Sequence, residues 1–274
     1  MSGNGPWMGS SDSGWPRCVT KRGYLVGLSA IFVSSYSQYF ISGINVIAGV
    51  FWVYGISIAV IGFICGAPLL RKAFHDTPAA FRIGLASFGV FAVAGSVASL
   101  AAAAALRGLD PRALTALHKQ LPILDVPHKM AWVMVAASIV VVGPCEEFIF
   151  RGFVFGGLLS LFGVRHWVAF AFISSLLFAV VHLYYAIVYG VAAAVPFIDV
   201  LAIGMALAVA YYLSGGNLLI PALIHGVYDA TGFLGVATRP EVGERLRGAF
   251  ILLGAFVAIL TILDRRKKDL RRAE

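Results

Sequence analysis

Along the 274-residue chain, apolar stretches of about twenty residues recur between short polar breaks, and within each stretch the hydrophobic positions are nearly continuous. A helix of about 20 apolar residues spans a bilayer, whereas the strands of a membrane barrel alternate inward and outward positions. The pattern predicts spans over Tyr24 to Ile44, Ile47 to Leu70, Ala80 to Leu106, Ala131 to Leu159, Trp167 to Leu183, Ala186 to Leu213, Leu218 to Ala237 and Gly248 to Leu263. The expected fold is all-α, a polytopic integral membrane helical bundle of about eight transmembrane helices. Composition agrees: 60% of residues are hydrophobic and only 12% charged, against about 25% charged in soluble domains.

The breaks divide the chain. Residues 1–22 form an expected disordered N-terminal tail, Gly/Ser-rich over MSGNGPWMGSSDSGWP and with little to bury. The first apolar run begins too late for a secretory signal, so the first span is expected to stay in the mature protein. Residues 23–130 read as N-terminal transmembrane helices with a loop helix, 131–237 as the core that carries the chemistry, and 238–274 as the last span and a basic tail. In the loop, Asp110 before Pro111 is an N-cap pattern, and Leu114, Leu117 and Leu121 share a face, which predicts a short helix at the membrane interface.

Charge adds orientation. Arg17, Lys21 and Arg22 flank the first span, Arg71, Lys72 and Arg82 follow the second, and Arg265, Arg266, Lys267, Lys268, Arg271 and Arg272 lie in the tail. With eight spans these groups share one side, which the positive-inside rule makes cytoplasmic, so both termini are expected there. The net charge of +8 is thereby explained by topology, and no nucleic-acid partner is implied. A bacterial cytoplasmic (inner) membrane is the expected location. Cys18, Cys65 and Cys145 are odd in number and widely spaced, suggesting neither a disulfide framework nor a thiolate metal site.

Charged side chains are costly in hydrocarbon, about 2.5 to 3.5 kcal/mol at the bilayer centre, so those present need reasons. Of thirteen acidic residues, only Glu146, Glu147, Asp199 and Asp229 fall well inside spans, together with the histidines His182 and His225. In GPCEEFIFRG, Glu147 and Arg151 stand four apart on one helical face, while Glu146 is rotated by about 100°. Phe178 and His182, in FAVVH, and His225 and Asp229, in HGVYD, repeat the four-residue step on two further helices. A carboxylate desolvated among apolar groups is suited to take a proton from water, an imidazole can orient that water, and donors on another helix can stabilise an oxyanion. Glu146 is the candidate base, His182 the water-orienting group, and His225 with Asp229 the oxyanion site. Phe178 is a candidate wall of the substrate cavity. Asp199 is expected to bond a neighbouring helix.

EExxxR (Glu146, Glu147, Arg151), FxxxH (Phe178, His182) and HxxxD (His225, Asp229), in this order, resemble the CPBP family of CAAX proteases and bacteriocin-processing enzymes. The resemblance covers roughly Ala131 to Ala237. It implies an all-helical intramembrane endopeptidase, similar to the type II CAAX prenyl endopeptidases, acting on a membrane-associated protein or peptide by glutamate-activated water. It also implies a second histidine paired with asparagine or aspartate at the oxyanion. This chain has Asp229 there, which must be protonated to donate or must instead orient His225. No cofactor is expected. The alternative is zinc held by Glu146, His182 and His225 with Glu147 as base, although the HExxH arrangement is absent. Three other readings stay open: a structural polar clamp, a non-catalytic scaffold or immunity protein, and a proton-coupled transporter, for which no internal repeat is visible. The sequence leaves the oligomeric state unspecified.

A spatial difficulty attends this reading. At about 1.5 Å per residue, Glu146 and His225 fall in one half of the bilayer and His182 in the other. For them to meet, the fifth span must run on into Ala186 to Gly190, or its helix must tilt or shift.

Overall fold

The computed structural model describes residues 19–42, 46–71, 77–110, 112–118 and 126–273, and among these no strand is present. The helices are α1 (Lys21–Ser42), α2 (Val46–Arg71), α3 (Thr77–Leu109), α4 (His128–Phe162), α5 (Trp167–Val181), α6 (Tyr185–Tyr189), α7 (Ala194–Leu213), α8 (Leu219–Ala237) and α9 (Pro240–Ala273). Among the described residues six helical segments are long and apolar enough to cross a membrane, and α2 adds the shorter apolar run Trp52–Ile64. This is an all-α, multi-pass membrane bundle. The expected eight reduce to six by that measure, although a helix occupies each expected apolar run.

Local chemistry sets the ends. Thr20 caps α1, its Oγ1 accepting the Gly23 N–H at 3.1 Å. Asp110 accepts the Arg112 N–H at 2.9 Å, and the chain then makes only a six-residue 3₁₀ turn, Ala113–His118, where a short loop helix is expected. Pro111 and Leu121, which belong to that expectation, lie outside the described residues, as do residues 1–18 of the expected tail and Lys72 of the basic loop.

Two core layers meet on α7. One side packs α3, α8 and α9, through Leu85, Phe88, Leu207, Ile220 and Ile224. The other packs α1, α2, α4 and α5, through Tyr24, Ile61, Ile149, Phe153 and Phe178. Many large apolar side chains stay on the outside, including Phe63, Leu100, Val140, Leu252 and Phe256. In water such a surface would drive association, but against lipid it is the appropriate exterior.

Helix α4 is not uniform. It widens to π geometry over Ser138–Val142 and again over Phe148–Phe155, on either side of Gly143–Glu147. Pro144 accounts for the first widening, because it has no N–H to give the carbonyl one turn back. In the second, other helices serve the widened backbone. The Tyr24 hydroxyl donates to the Val154 carbonyl at 2.9 Å and Ser174 Oγ to the Phe150 carbonyl at 2.8 Å. The only glutamates of α4 therefore stand on a short regular turn between two irregular ones, an arrangement frequent at functional sites.

Candidate active site

The site begins with a close backbone approach. A Cβ on Gly143 would fall 2.6 Å from the Ala222 carbonyl oxygen, and one on Gly226 would fall 2.6 Å from the Ser138 carbonyl oxygen. Only glycine at both positions lets α4 and α8 touch in this way. The contact brings His225, next to Gly226, onto the Glu146–Glu147 turn.

The two glutamates then face different surroundings. Glu147 is fully buried. Its Oε1 accepts from Arg151 Nη1 at 2.7 Å and from His225 Nδ1 at 2.8 Å, since a carboxylate can only accept. Arg151, also fully buried, donates through Nη2 to the Gly204 carbonyl of α7 at 3.0 Å and lies 4.6 Å from the centre of the Phe178 ring. Glu147 Oε2 and Arg151 Nε make no hydrogen bond among the described residues. A buried charge pair of this kind costs solvation on both partners and leaves a large penalty if one is removed.

Glu146 keeps 14% of its side chain exposed. Its Oε1 accepts a hydrogen bond from the Tyr54 hydroxyl of α2. Its Oε2 lies 3.6 Å from His225 Nε2, too far for a direct hydrogen bond. Asp229 Oδ2 lies 3.3 Å from the same nitrogen, with 34% of its side chain exposed. The imidazole thus has carboxylates at both edges, Glu147 at Nδ1 and Glu146 with Asp229 at Nε2. As imidazolium it donates from both nitrogens and offsets part of that negative charge.

Glu146, Glu147, Arg151, His225 and Asp229 are therefore gathered on one interior. His182 is adjacent but not bonded to them. Helix α5 stops at Val181, and residues 182–184 form a turn before α6, so of the two ways to bring His182 to the others the extension of the fifth span is not the one taken. His182 Nδ1 pairs with the Phe178 carbonyl at 2.7 Å. Its ring sits 4.8 Å from the Phe178 ring, which is 5.5 Å from His225. Phe178, 3% exposed, packs between the two histidine rings and Arg151. A cavity of about 230 Å³ beside His182 is lined by Leu183, Tyr185, Gly190, Ala193 and Phe197 among others.

Among the described residues no three His, Cys, Asp or Glu side chains are grouped to hold a metal ion. Asp199 sits apart, accepting from Ser99 Oγ at 2.8 Å, an interhelical bond of the expected kind. Sequence reasoning missed Tyr54, which no spacing distinguishes from other tyrosines in apolar runs. It also missed Tyr184 and Tyr185, within electrostatic reach of Glu146 and Asp229.

Comparison with known proteins adds one match. No curated protein and no solved structure matches the chain. Residues 128–231 match the family model described as type II CAAX prenyl endopeptidase Rce1-like. That segment contains Glu146, Glu147, Arg151, Phe178, His182, His225 and Asp229, and over it the chain is similar to the type II CAAX prenyl endopeptidases.

Proposed function

We propose that the protein is an intramembrane endopeptidase that hydrolyses a peptide bond in a membrane-associated protein or peptide, with Glu146 as general base. The observation that carries this reading is the division between adjacent glutamates. One is sealed and doubly hydrogen-bonded by Arg151 and His225, and the other is partly open beside a histidine edge. Environments that separate two neighbouring carboxylates are how one site assigns them different tasks.

In the proposed step, a water sits beside the 3.6 Å gap between Glu146 Oε2 and His225 Nε2, within reach of both. Glu146 takes a proton from that water as its oxygen bonds to the substrate carbonyl carbon. His225, held by Glu147 through Nδ1, turns its single Nε2–H to the oxyanion that forms. The proton then passes from Glu146 to the departing nitrogen as the C–N bond breaks. Asp229 is assigned to hold the His225 imidazolium, a role that an ionised aspartate can fill. To His182, beside its apolar cavity, we assign orientation of the substrate. The proposed location is a bacterial cytoplasmic membrane with both termini cytoplasmic.

The family name directs the assay to a prenylated CAAX peptide. Full-length protein in lipid nanodiscs is expected to cleave an internally quenched farnesylated peptide, and to do so in a strong chelator. Loss of cleavage on chelation with recovery on adding zinc would overturn the metal-free mechanism. Comparison of membrane-protein C-terminal and N-terminal peptides with and without active protein covers other substrates, and absence of any new end would overturn the protease reading.

A further inference from the structure

Tyr54 belongs to α2, outside residues 128–231 that the family model matches, yet its hydroxyl reaches the group assigned as base. A carboxylate offers two equivalent oxygens and turns easily about its last bond. Something must decide which oxygen meets the water. Here Oε1 is taken by Tyr54, and Oε2 is left facing His225 Nε2 at 3.6 Å. We propose that Tyr54 is a positioning residue that occupies Oε1 of Glu146, so that Oε2 is the oxygen that accepts the water proton. This makes α2 a working part of the site. The inference rests on the reading of Glu146 as general base.

The surroundings support it. Groups near Glu146 come from every side: Cys145 and Arg151 of its own helix, His225 and Asp229 of α8, and Tyr184 and Tyr185 beyond α5. Among the described residues Tyr54 alone makes a hydrogen bond to it. Tyr54 is itself held firmly. Its ring packs with Ile58 against the cluster of Ile61, Ile149 and Phe178, and one turn along α2 the Ser57 hydroxyl pairs with Ser34 of α1 at 3.0 Å. A phenol on a packed ring loses little further freedom in making its bond, so it fixes the carboxylate at small entropic cost. In the reaction the phenol keeps its proton. The water proton moves to Oε2 as the water oxygen bonds to carbon, and it later leaves for the amine nitrogen.

The test is Tyr54→Phe in full-length protein in nanodiscs, with the farnesylated quenched peptide as probe. Expected is a fall in kcat of about 10- to 100-fold, the scale on which a misaligned reacting group slows a reaction, with KM and unfolding temperature unchanged. Tyr54→Ala is expected to lose kcat to a similar degree. Wild-type kcat in Tyr54→Phe, or a change confined to KM, would overturn the proposal, and so would a deficit seen in Tyr54→Ala alone. Glu146→Gln separates the two readings: full turnover there removes the base, whereas an inactive Glu146→Gln beside a fully active Tyr54→Phe removes only the positioning role. A readout without substrate is the Cζ resonance of ¹³C-labelled tyrosine. The Tyr54 signal, identified by its loss in Tyr54→Phe, is expected to shift in Glu146→Ala, and an unmoved signal would also overturn the proposal.

Discussion

Two of the helix crossings that rest on glycine, α3 with α9 and α4 with α8, differ in what the crossing serves. Between α3 and α9 a Cβ on Gly89 would fall 2.0 Å from the Ala255 nitrogen, and the flanking rings of Phe88 and Phe250 pack at 4.9 Å. Between α4 and α8 the Gly143 and Gly226 contact is as intimate, but its neighbours are Glu147, Arg151 and His225. Small residues alone therefore bring helices together in lipid, where van der Waals contact rather than water exclusion drives association. A polar centre needs more. It requires a charge set that satisfies itself across the crossing, and a helix widened by Pro144 to present it.

Removing the cation at the charged crossing should have the largest effect. Arg151→Met leaves Glu147 buried with only His225 as partner, and a loss of about 3–5 kcal/mol is expected along with activity, measured by unfolding in detergent. If Arg151→Met is as stable as the parent, the pair is not what holds this crossing. Next, Gly226→Ala forces a Cβ against the Ser138 carbonyl, so stability should fall by about 1–3 kcal/mol and turnover of the folded fraction should fall too. Gly89→Ala should cost stability on the same scale while folded molecules keep their turnover. Equal catalytic damage from both alanines would erase the distinction between the crossings.

Asp199→Asn should do least. The amide can still accept from Ser99, so a stability change of about 0.6 kcal/mol or less and unaltered turnover are expected. A large loss of cleavage there would move Asp199 into the working site.

What the chain order reveals follows the range of each interaction. Apolar runs report burial in lipid, so the helices are legible in composition, but their ends are not: the fifth span is expected to reach Leu183 and stops at Val181, while the last is expected over Gly248 to Leu263 and the helix runs from Pro240 to Ala273. The Glu147–Arg151 step and the His225–Asp229 step were visible because four-residue spacing is one helical face. The meeting of His225 with Glu147, from residues 78 apart, depends on a helix crossing that no local pattern encodes. Tyr54 is harder still, being 92 residues from Glu146 and without a motif of its own. The packing of Phe178 between the two histidine rings is likewise set by helix packing and not by spacing along the chain. The π turns were obscured for a similar reason. Pro144 in an apolar run signals a break, whereas here its neighbours keep the helix going.

The central claim is that Glu146, not its buried neighbour, removes the proton from water. The direct measurement is turnover of the farnesylated peptide by purified Glu146→Gln in nanodiscs, with an unfolding curve from the same sample. Expected is a fall of about 10²- to 10⁴-fold in kcat with unfolding unchanged. Turnover near that of the parent, in protein equally folded, would contradict it.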